Sequence, residues 1–515
     1  MVLGVLIRLV AINQPLIDAH AIRQCYTAVC TRSILREPGF PLSSQINWRG
    51  DRNPRIALEA PVYNYATIGV YHLLGNLDIS GKLVSIALWL ASFFVLQQLW
   101  RRCLSDAEAI WANALFVLAP VSVFFAQAFL PEMLVQLIAF GIVWRFLCYQ
   151  ESGRTGDFFV FAAVGCLGLL VKVPEIFHLW VFVFALLVIK EKARLLIRWP
   201  YWVAVMVTLL LVYSWSRYIA PLNEDYDEAW RTDHMLAYHF HTLRERFDPR
   251  AYAHFAAYLL PFVMGLGGVP GIALGAVVQF RERRWSWPTV WIGSIVLYYM
   301  TWGFGPAQEH SYYQLPALAP CCYLFGIGMT RLRGSQRLWV SRYGVPALAA
   351  GTAVVCVLVT CYLFRQDRVI YDAAVWVRQH TAPADAVIFK SSHEPNSFNF
   401  PHEPVFAYYA DRAVWLDTTY MSPAERQRAG QTAAWVVETY PAGHRGRIEQ
   451  LRRALKGAAP LPQHPWQSVD GHPEWVPAYQ TPQIRIYQRL AQPSASGSSG
   501  AATSPPDNAG AARAP

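Results

Sequence analysis

The sequence predicts a polytopic α-helical membrane protein that ends in a small soluble α/β domain. Three observations predict it. Of the 515 residues, 54% are hydrophobic and only 15% are charged, against roughly 25% charged in an average soluble domain. The charge deficit is concentrated before residue 365, where apolar runs recur at close to the length that a spanning helix needs. From residue 366 the composition turns polar and mixed.

Candidate spans are residues 2–17, 79–100, 107–127, 131–150, 157–172, 175–190, 200–220, 254–280, 288–304, 312–330 and 344–364. The first is short, as a truncated start would leave it. No small-residue cleavage site follows in "INQPLIDAH", so it is not expected to be a cleaved signal. Arg101 and Arg102, "KEKAR" with Arg198, "RERR" at 281–284 and "RLRGSQR" at 331–337 fall on alternate turns. Basic turns mark the cytoplasmic side, and the turns near 127–132, 172–174 and 304–311 carry almost no Arg or Lys. Counting "APVYNYATIGVYHLLG" (60–75) as a span would put the basic turns on opposite sides. It is therefore expected to be an interfacial helix on the outer surface. The result is about eleven spans, an outer loop over 18–78 with interfacial helices, and an outer C-terminus. The expected location is the inner (plasma) membrane.

The net charge is +10, but the basic residues are not gathered on one soluble module, so no nucleic-acid partner is expected. Six arginines in the outer loop (Arg23, Arg32, Arg36, Arg49, Arg52, Arg55) run against the inside bias, and an anionic ligand is a natural explanation. The nine cysteines form no CxxC pair, and most lie in apolar runs as small hydrophobes. Cys25 and Cys30, five apart, are not neighbours on a helix and are given no disulfide. No Walker A or GxGxxG sequence is present. Beyond the spans, "YDAAVWVRQH" and "PAERQRAGQTAAWVVETY" are expected helices, and "DAVIF", "RAVWL" and "IRIYQ" expected strands. They make an extracytoplasmic α/β domain over 366–490. Residues 491–515 form a disordered tail by composition.

Ionisable residues collect on the outer side. In "DAHAIRQCYTAVCTRSIL", Ile22, Cys25, Tyr26, Val29, Cys30 and Ile34 recur at helical spacing, with His20, Arg23, Gln24, Thr27 and Thr31 on the other face. This predicts an amphipathic surface helix begun by Asp18. Asp18 is either an N-cap or a catalytic carboxylate at the membrane edge, and the two roles can coexist. Glu59 lies in "LEAPVYNY" and Glu132 in "FLPEML", where a first-turn acid also suits the helix dipole. Lys172 in "LVKVPE" could simply snorkel. His310, Tyr312 and Tyr313 in "QEHSYYQLP" could belong to an aromatic belt. These bland readings do not explain why every one of these groups falls on one side of one topology. Polar groups at membrane depth are functional candidates by default.

Asp18 with "HAIRQCYTAVCTR", then "LEAPVYNY", "LPEM", "LVKVP" and "EHSYYQLP" in this order resemble the GT-C glycosyltransferases. The nearest branch holds the protein O-mannosyltransferases and the lipid A aminoarabinose transferases. The resemblance covers residues 1–365. The family's second acid is often Asp where this chain has Glu132, and the C-terminal domain carries no family signature. The resemblance implies a GT-C type bundle and an inverting transfer from a polyprenyl-phosphate sugar to an acceptor hydroxyl on a lipid, glycan or protein. It implies catalytic carboxylates at Asp18, Glu59 and Glu132, with Asp18 as general base. It places Arg23, Lys172, His310, Tyr312 and Tyr313 at the donor phosphate. Glu59 and Glu132 would either hold a divalent metal cation or orient Lys172 and Arg23. The rival class is a transporter or flippase, but no internal repeat joins the two halves, as transporters commonly show. A non-catalytic partner in envelope glycan assembly is a third reading, and it predicts a dispensable Asp18.

Overall fold

The computed structural model describes residues 1–50, 54–192, 198–226, 237–284, 286–391, 403–416, 423–439, 469 and 472–490. Its N-terminal two-thirds is a helical bundle. Among the described residues, six helices are long and apolar enough to cross a membrane: Leu77–Trp100, Glu132–Ser152, Val173–Glu191, Trp199–Asn223, Ser311–Arg333 and Val340–Leu363. Thr155–Val171 and Val269–Arg281 are apolar but shorter. The helices used below are α1 (Val2–Leu9), α2 (Ala21–Arg36), α3 (Val62–Leu74), α4 (Leu77–Trp100), α5 (Asp106–Leu118), α6 (Pro120–Phe125), α7 (Glu132–Ser152), α8 (Thr155–Val171), α9 (Val173–Glu191) and α10 (Trp199–Tyr226).

Several expected spans are interrupted, and the interruptions have local causes. Residues 2–17 contain only the eight-residue α1, about 12 Å of helix. The run 107–127 breaks at Pro120, which lacks an N–H and opens a new helix as α6. The run 254–280 breaks through a π-turn containing Pro261 and a turn at Gly265, whose φ of 64° favours glycine. Residues 311–317, with Pro316 inside, wind as a 3₁₀ turn before the helix Leu318–Arg333. Lys172, in extended backbone with Pro174 just beyond, separates α8 from α9. Irregular backbone at membrane depth survives where protein buries it, and Pro120, Lys172 and Pro316 flank the residues of the candidate site.

The outer loop carries α2, a two-stranded ribbon of β1 (Ser44–Gln45) and β2 (Arg55–Ile56), and α3. α3 matches the expected interfacial helix, ends on Gly75 in a left-handed cap, and exposes Leu73 and Leu74 at its end. α2 departs from expectation. It begins at Ala21, with His20 in left-handed conformation as N-cap and no side-chain cap bond. Its polar face is buried as well as its apolar one: Gln24, Thr27 and Thr31 are all inaccessible. The physical reason is that α3 and the turn between α6 and α7 close over that face: Asn64 Nδ2 donates to Thr31 Oγ1 at 2.8 Å, and Gln24 Oε1 accepts from Phe129 N at 3.0 Å. Thr27 and Thr31 satisfy their hydroxyls on the carbonyls of Arg23 and Thr27 at 3.0 and 2.8 Å.

The C-terminal domain is a five-stranded sheet ordered β4-β3-β5-β7-β6, with β3 (Ala386–Ser391), β4 (Ala413–Leu416), β5 (Ala433–Thr439), β6 (Trp475–Gln480) and β7 (Ile484–Arg489). β3 runs parallel to β4 and β5, and β7 runs antiparallel to β5 and β6. The expected strands correspond to β3, β4 and β7. The expected helix over 423–440 is instead the helix Pro423–Thr432 followed by β5. "AAWVVET" is apolar on both faces because it is the central strand, and such strands lose the alternation that sequence reading relies on. The expected tail, 491–515, lies outside the described residues.

The sheet domain is joined firmly to the bundle. Val414 N donates to Asn47 O at 2.7 Å and Gly50 N to Val414 O at 2.8 Å, so the outer loop extends the β4 edge. Arg32 and Arg36 pair with Asp411 at 3.2 and 2.7 Å, Arg55 pairs with Glu37 at 2.8 Å, and Arg23 pairs with Glu59. Among the described residues, at least four of these arginines thus have carboxylate partners within the chain. Internal pairing, rather than an anionic ligand alone, accounts for these arginines in the loop.

Candidate active site

Asp18 lies in the segment between α1 and α2 and is 8% exposed. Its carboxylate does not cap α2. Oδ1 accepts a hydrogen bond from Gln24 Nε2 at 2.6 Å, and Gln24 Oε1 accepts from the backbone N–H of Phe129 at 3.0 Å. Gln24 therefore ties the carboxylate to the turn between α6 and α7. Gly81 in α4 permits that turn to close in, because a Cβ there would stand 2.3 Å from the Phe129 ring. Burial pushes the Asp18 carboxyl up to about 7, against the Gln24 hydrogen bond and the Lys82 charge, which both pull it down.

His20 leads from Asp18 to the second cluster. Its Nε2 lies 2.8 Å from Ser311 Oγ, and its ring packs 5.3 Å from the ring of Tyr312. His310 stacks on Tyr312 at 5.1 Å with the planes 9° apart. Burial holds the His20 imidazole down to about 4 and that of His310 down to about 3, with the Lys172 charge adding to both. Both are neutral near pH 7 and can give or accept one hydrogen bond each.

Lys172 does not snorkel. It is 8% exposed, and its ammonium donates to both oxygens of Glu132 at 2.7 and 2.9 Å. Glu175 Oε1 stands 2.6 Å from the same nitrogen as an ion pair. The ammonium also lies 4.4 Å from the centre of the Tyr312 ring and 5.2 Å from that of Tyr313. Tyr312 and Tyr313 are buried and the half-buried His310 stacks on Tyr312, so the aromatic-belt reading of 310–313 gives way to a packed wall. Arg23 and Glu59 form a second ion pair beside a cleft lined by Tyr26, Thr27, Cys30, Leu58 and Asn64.

Seven of the eight residues singled out in the sequence pair or cluster directly, Arg23 with Glu59, and Lys172 with Glu132, Tyr312, Tyr313 and, through Tyr312, His310; Asp18 is held by Gln24 and lies two residues before His20, which packs on Tyr312. Sequence reading missed Gln24, Ser311 and Glu175 as members. The signal for Glu175 was present, since "LVKVPE" puts an acid three residues after Lys172 on the first turn of α9. Each candidate metal acid is already engaged by a cation, Glu59 by Arg23 and Glu132 by Lys172. Among the described residues, no three His, Cys, Asp or Glu side chains converge as a metal site. That donor arrangement fits the orienting role of Glu59 and Glu132 and does not fit a joint metal site.

The family model for dolichyl-phosphate-mannose-protein mannosyltransferase matches residues 58–217, a stretch that includes Glu59, Glu132 and Lys172. No curated protein matches in sequence. The fold is similar to that of ArnT from Cupriavidus metallidurans, solved bound to undecaprenyl phosphate. The TM-score is 0.63 at 11% identity, over 95% of this chain and 97% of that one. It is also similar to the Archaeoglobus fulgidus oligosaccharyltransferase, solved with Zn and sulfate, at a TM-score of 0.55 and 10% identity over 85% of this chain and 67% of that one. The chain carries the GT-C glycosyltransferase fold. In this GT-C bundle the outer loop lies over the broken helix ends, and the expected polytopic membrane architecture with a small sheet domain is the one observed.

Proposed function

We propose that the protein is an inverting membrane glycosyltransferase that takes a sugar from a polyprenyl-phosphate donor and transfers it to a hydroxyl outside the cytoplasm. The observation that carries this reading is a buried carboxylate, Asp18, two residues before His20, whose ring packs on Tyr312 as the buried Lys172 ammonium does. Asp18 would accept the proton of the acceptor hydroxyl as its oxygen bonds to the anomeric carbon. The bond from that carbon to the phosphate oxygen breaks on the opposite face, with inversion. The electron pair leaves on the polyprenyl phosphate, and Lys172, Arg23 and the Tyr312 and Tyr313 walls would stabilise the growing charge. ArnT crystallised with undecaprenyl phosphate supports a lipid phosphate as the donor class. A structure of the Archaeoglobus fulgidus oligosaccharyltransferase carries a tethered acceptor peptide, which supports transfer to a separate acceptor as the reaction class. The experiment that tests the reading is turnover of a labelled polyprenyl-phosphate sugar by purified protein. Stable binding without sugar release would favour a transporter or a non-catalytic partner instead.

The protonation state of Asp18 sets a pH expectation. A base held near pKa 7 is protonated and inactive in acid, so the rate should rise about tenfold per pH unit below that value and level off above it. A rate independent of pH between about 5.5 and 8 would remove Asp18 from the role.

Orientation has its own test. Cysteines introduced at Leu42 and Ala384, both exposed, should react with an impermeant reagent from outside in a cysteine-free background. A cysteine at Gln336, exposed beside the basic turn, should react only after permeabilisation. The reverse pattern would place the site in the cytoplasm and overturn the lipid-donor reading, which needs an outer-leaflet site.

A further inference from the structure

The segment carrying Asp18 is held from both sides by groups far away in sequence. Leu16 N donates to Tyr409 Oη at 2.6 Å, and Ala19 N donates to Leu363 O at 2.9 Å. Tyr409 belongs to the helix Glu403–Ala410 of the C-terminal domain, which packs on α2. Its hydroxyl in turn donates to Asp78 Oδ2 at 2.9 Å, and Tyr408 Oη donates to Asp78 Oδ1 at 2.5 Å. Asp78 opens α4. One turn along the same helix, Lys82 donates to the carbonyls of Ala11 and Gln14 at 3.1 and 2.5 Å. Asp78 and Lys82 share a helix face, so α4 grips the segment through Lys82 and the C-terminal domain through Asp78.

We infer that Tyr409, oriented by Asp78, is a positioning residue that sets where the Asp18 carboxylate stands. The C-terminal domain would thereby be a working part of the transfer site. The inference rests on the general-base reading of Asp18. The argument is geometric. Leu16 lies two residues before the base, its N–H is buried, and the partner that satisfies it lies 393 residues away. Removing that partner leaves a buried donor unpaired, and the segment must shift to find another. Displacements of about an ångström at a reacting group can cost a hundredfold in rate. Tyr408 is the internal comparison, because its hydroxyl reaches Asp78 and not the segment.

The test is Tyr409→Phe beside Tyr408→Phe, in the full chain. Tyr409→Phe should lower kcat on the order of tenfold to a hundredfold, leave the donor KM within about twofold, and speed amide exchange in the peptide covering residues 12–20. Tyr408→Phe should retain most of kcat and keep that peptide protected. A kcat within about twofold of the native value in Tyr409→Phe overturns the inference, whether or not exchange speeds up. Equal losses in both variants without faster exchange also overturn it, since that pattern is general loosening of the domain. Asp18→Asn, run in parallel, separates the two failures. If it stays active, the general-base reading falls; if it is dead while Tyr409→Phe is fully active, only the positioning role falls.

Discussion

Asp18→Asn should insert and fold normally, bind donor, and lose about 10²–10⁴ in turnover. The substitution is nearly isosteric, and an amide oxygen can still accept the Gln24 hydrogen bond at this position. What it loses is proton affinity. A capping role would have allowed a full exchange of Asp for Asn, because the two are equivalent caps. The structure removes that alternative, since α2 starts at Ala21 behind His20 and the Asp18 carboxylate faces Gln24 instead. Transfer at close to the native rate in Asp18→Asn would therefore reduce Asp18 to its hydrogen bond with Gln24, and the base would have to be Glu59 or Glu132. The rising acid limb of the pH profile should vanish in the same variant.

Lys172→Ala should be the most damaging change at the donor phosphate, with effects on both stability and binding. It leaves Glu132 and Glu175 buried without their shared cation, which costs roughly 3–5 kcal/mol when a buried pair is broken from one side. Donor affinity should fall by about 2–5 kcal/mol if the ammonium meets the phosphate. The double variant Lys172→Met with Glu132→Gln separates the two effects, because it removes a positive and a negative charge together. Thermal unfolding should recover part of the lost stability in the double variant, where Glu175 still lacks its cation, while donor binding should stay weak. Recovery of binding along with stability would show that Lys172 serves the fold alone. His310→Ala should weaken binding less, since its imidazole is neutral and contributes one hydrogen bond.

How much of this was legible differs by level. The membrane class, the outer loop, the interfacial helix over 62–74 and the order of the acidic and basic sites all follow from composition and spacing within short windows. Apolar length, basic turns and turn residues act locally, so one sequence displays them directly. The strand β5 was hidden by the same logic: its alternation is erased by burial on both faces, a property of its place in the sheet and not of its residues. The breaks at Pro120 and Pro316 could be seen as prolines, but that they would surround a site depends on how the bundle closes.

Only the tertiary structure decided what each charged group does. Asp18 was open between a cap and a catalytic carboxylate, and the structure turns its side chain to Gln24, which is anchored by Phe129, more than 100 residues away. Glu132 and Glu59 were open between metal and cation partners until Lys172 and Arg23 were seen at hydrogen-bonding range. The polar face of α2 was expected to meet water, and Asn64 of α3 and the turn at Phe129 close over it. In each case the sequence determined which groups are present. Their partners and their degree of burial are set by contacts between distant segments. A carboxylate's proton affinity depends on those contacts by whole pKa units, so the chemistry of the site became readable only once the chain was folded.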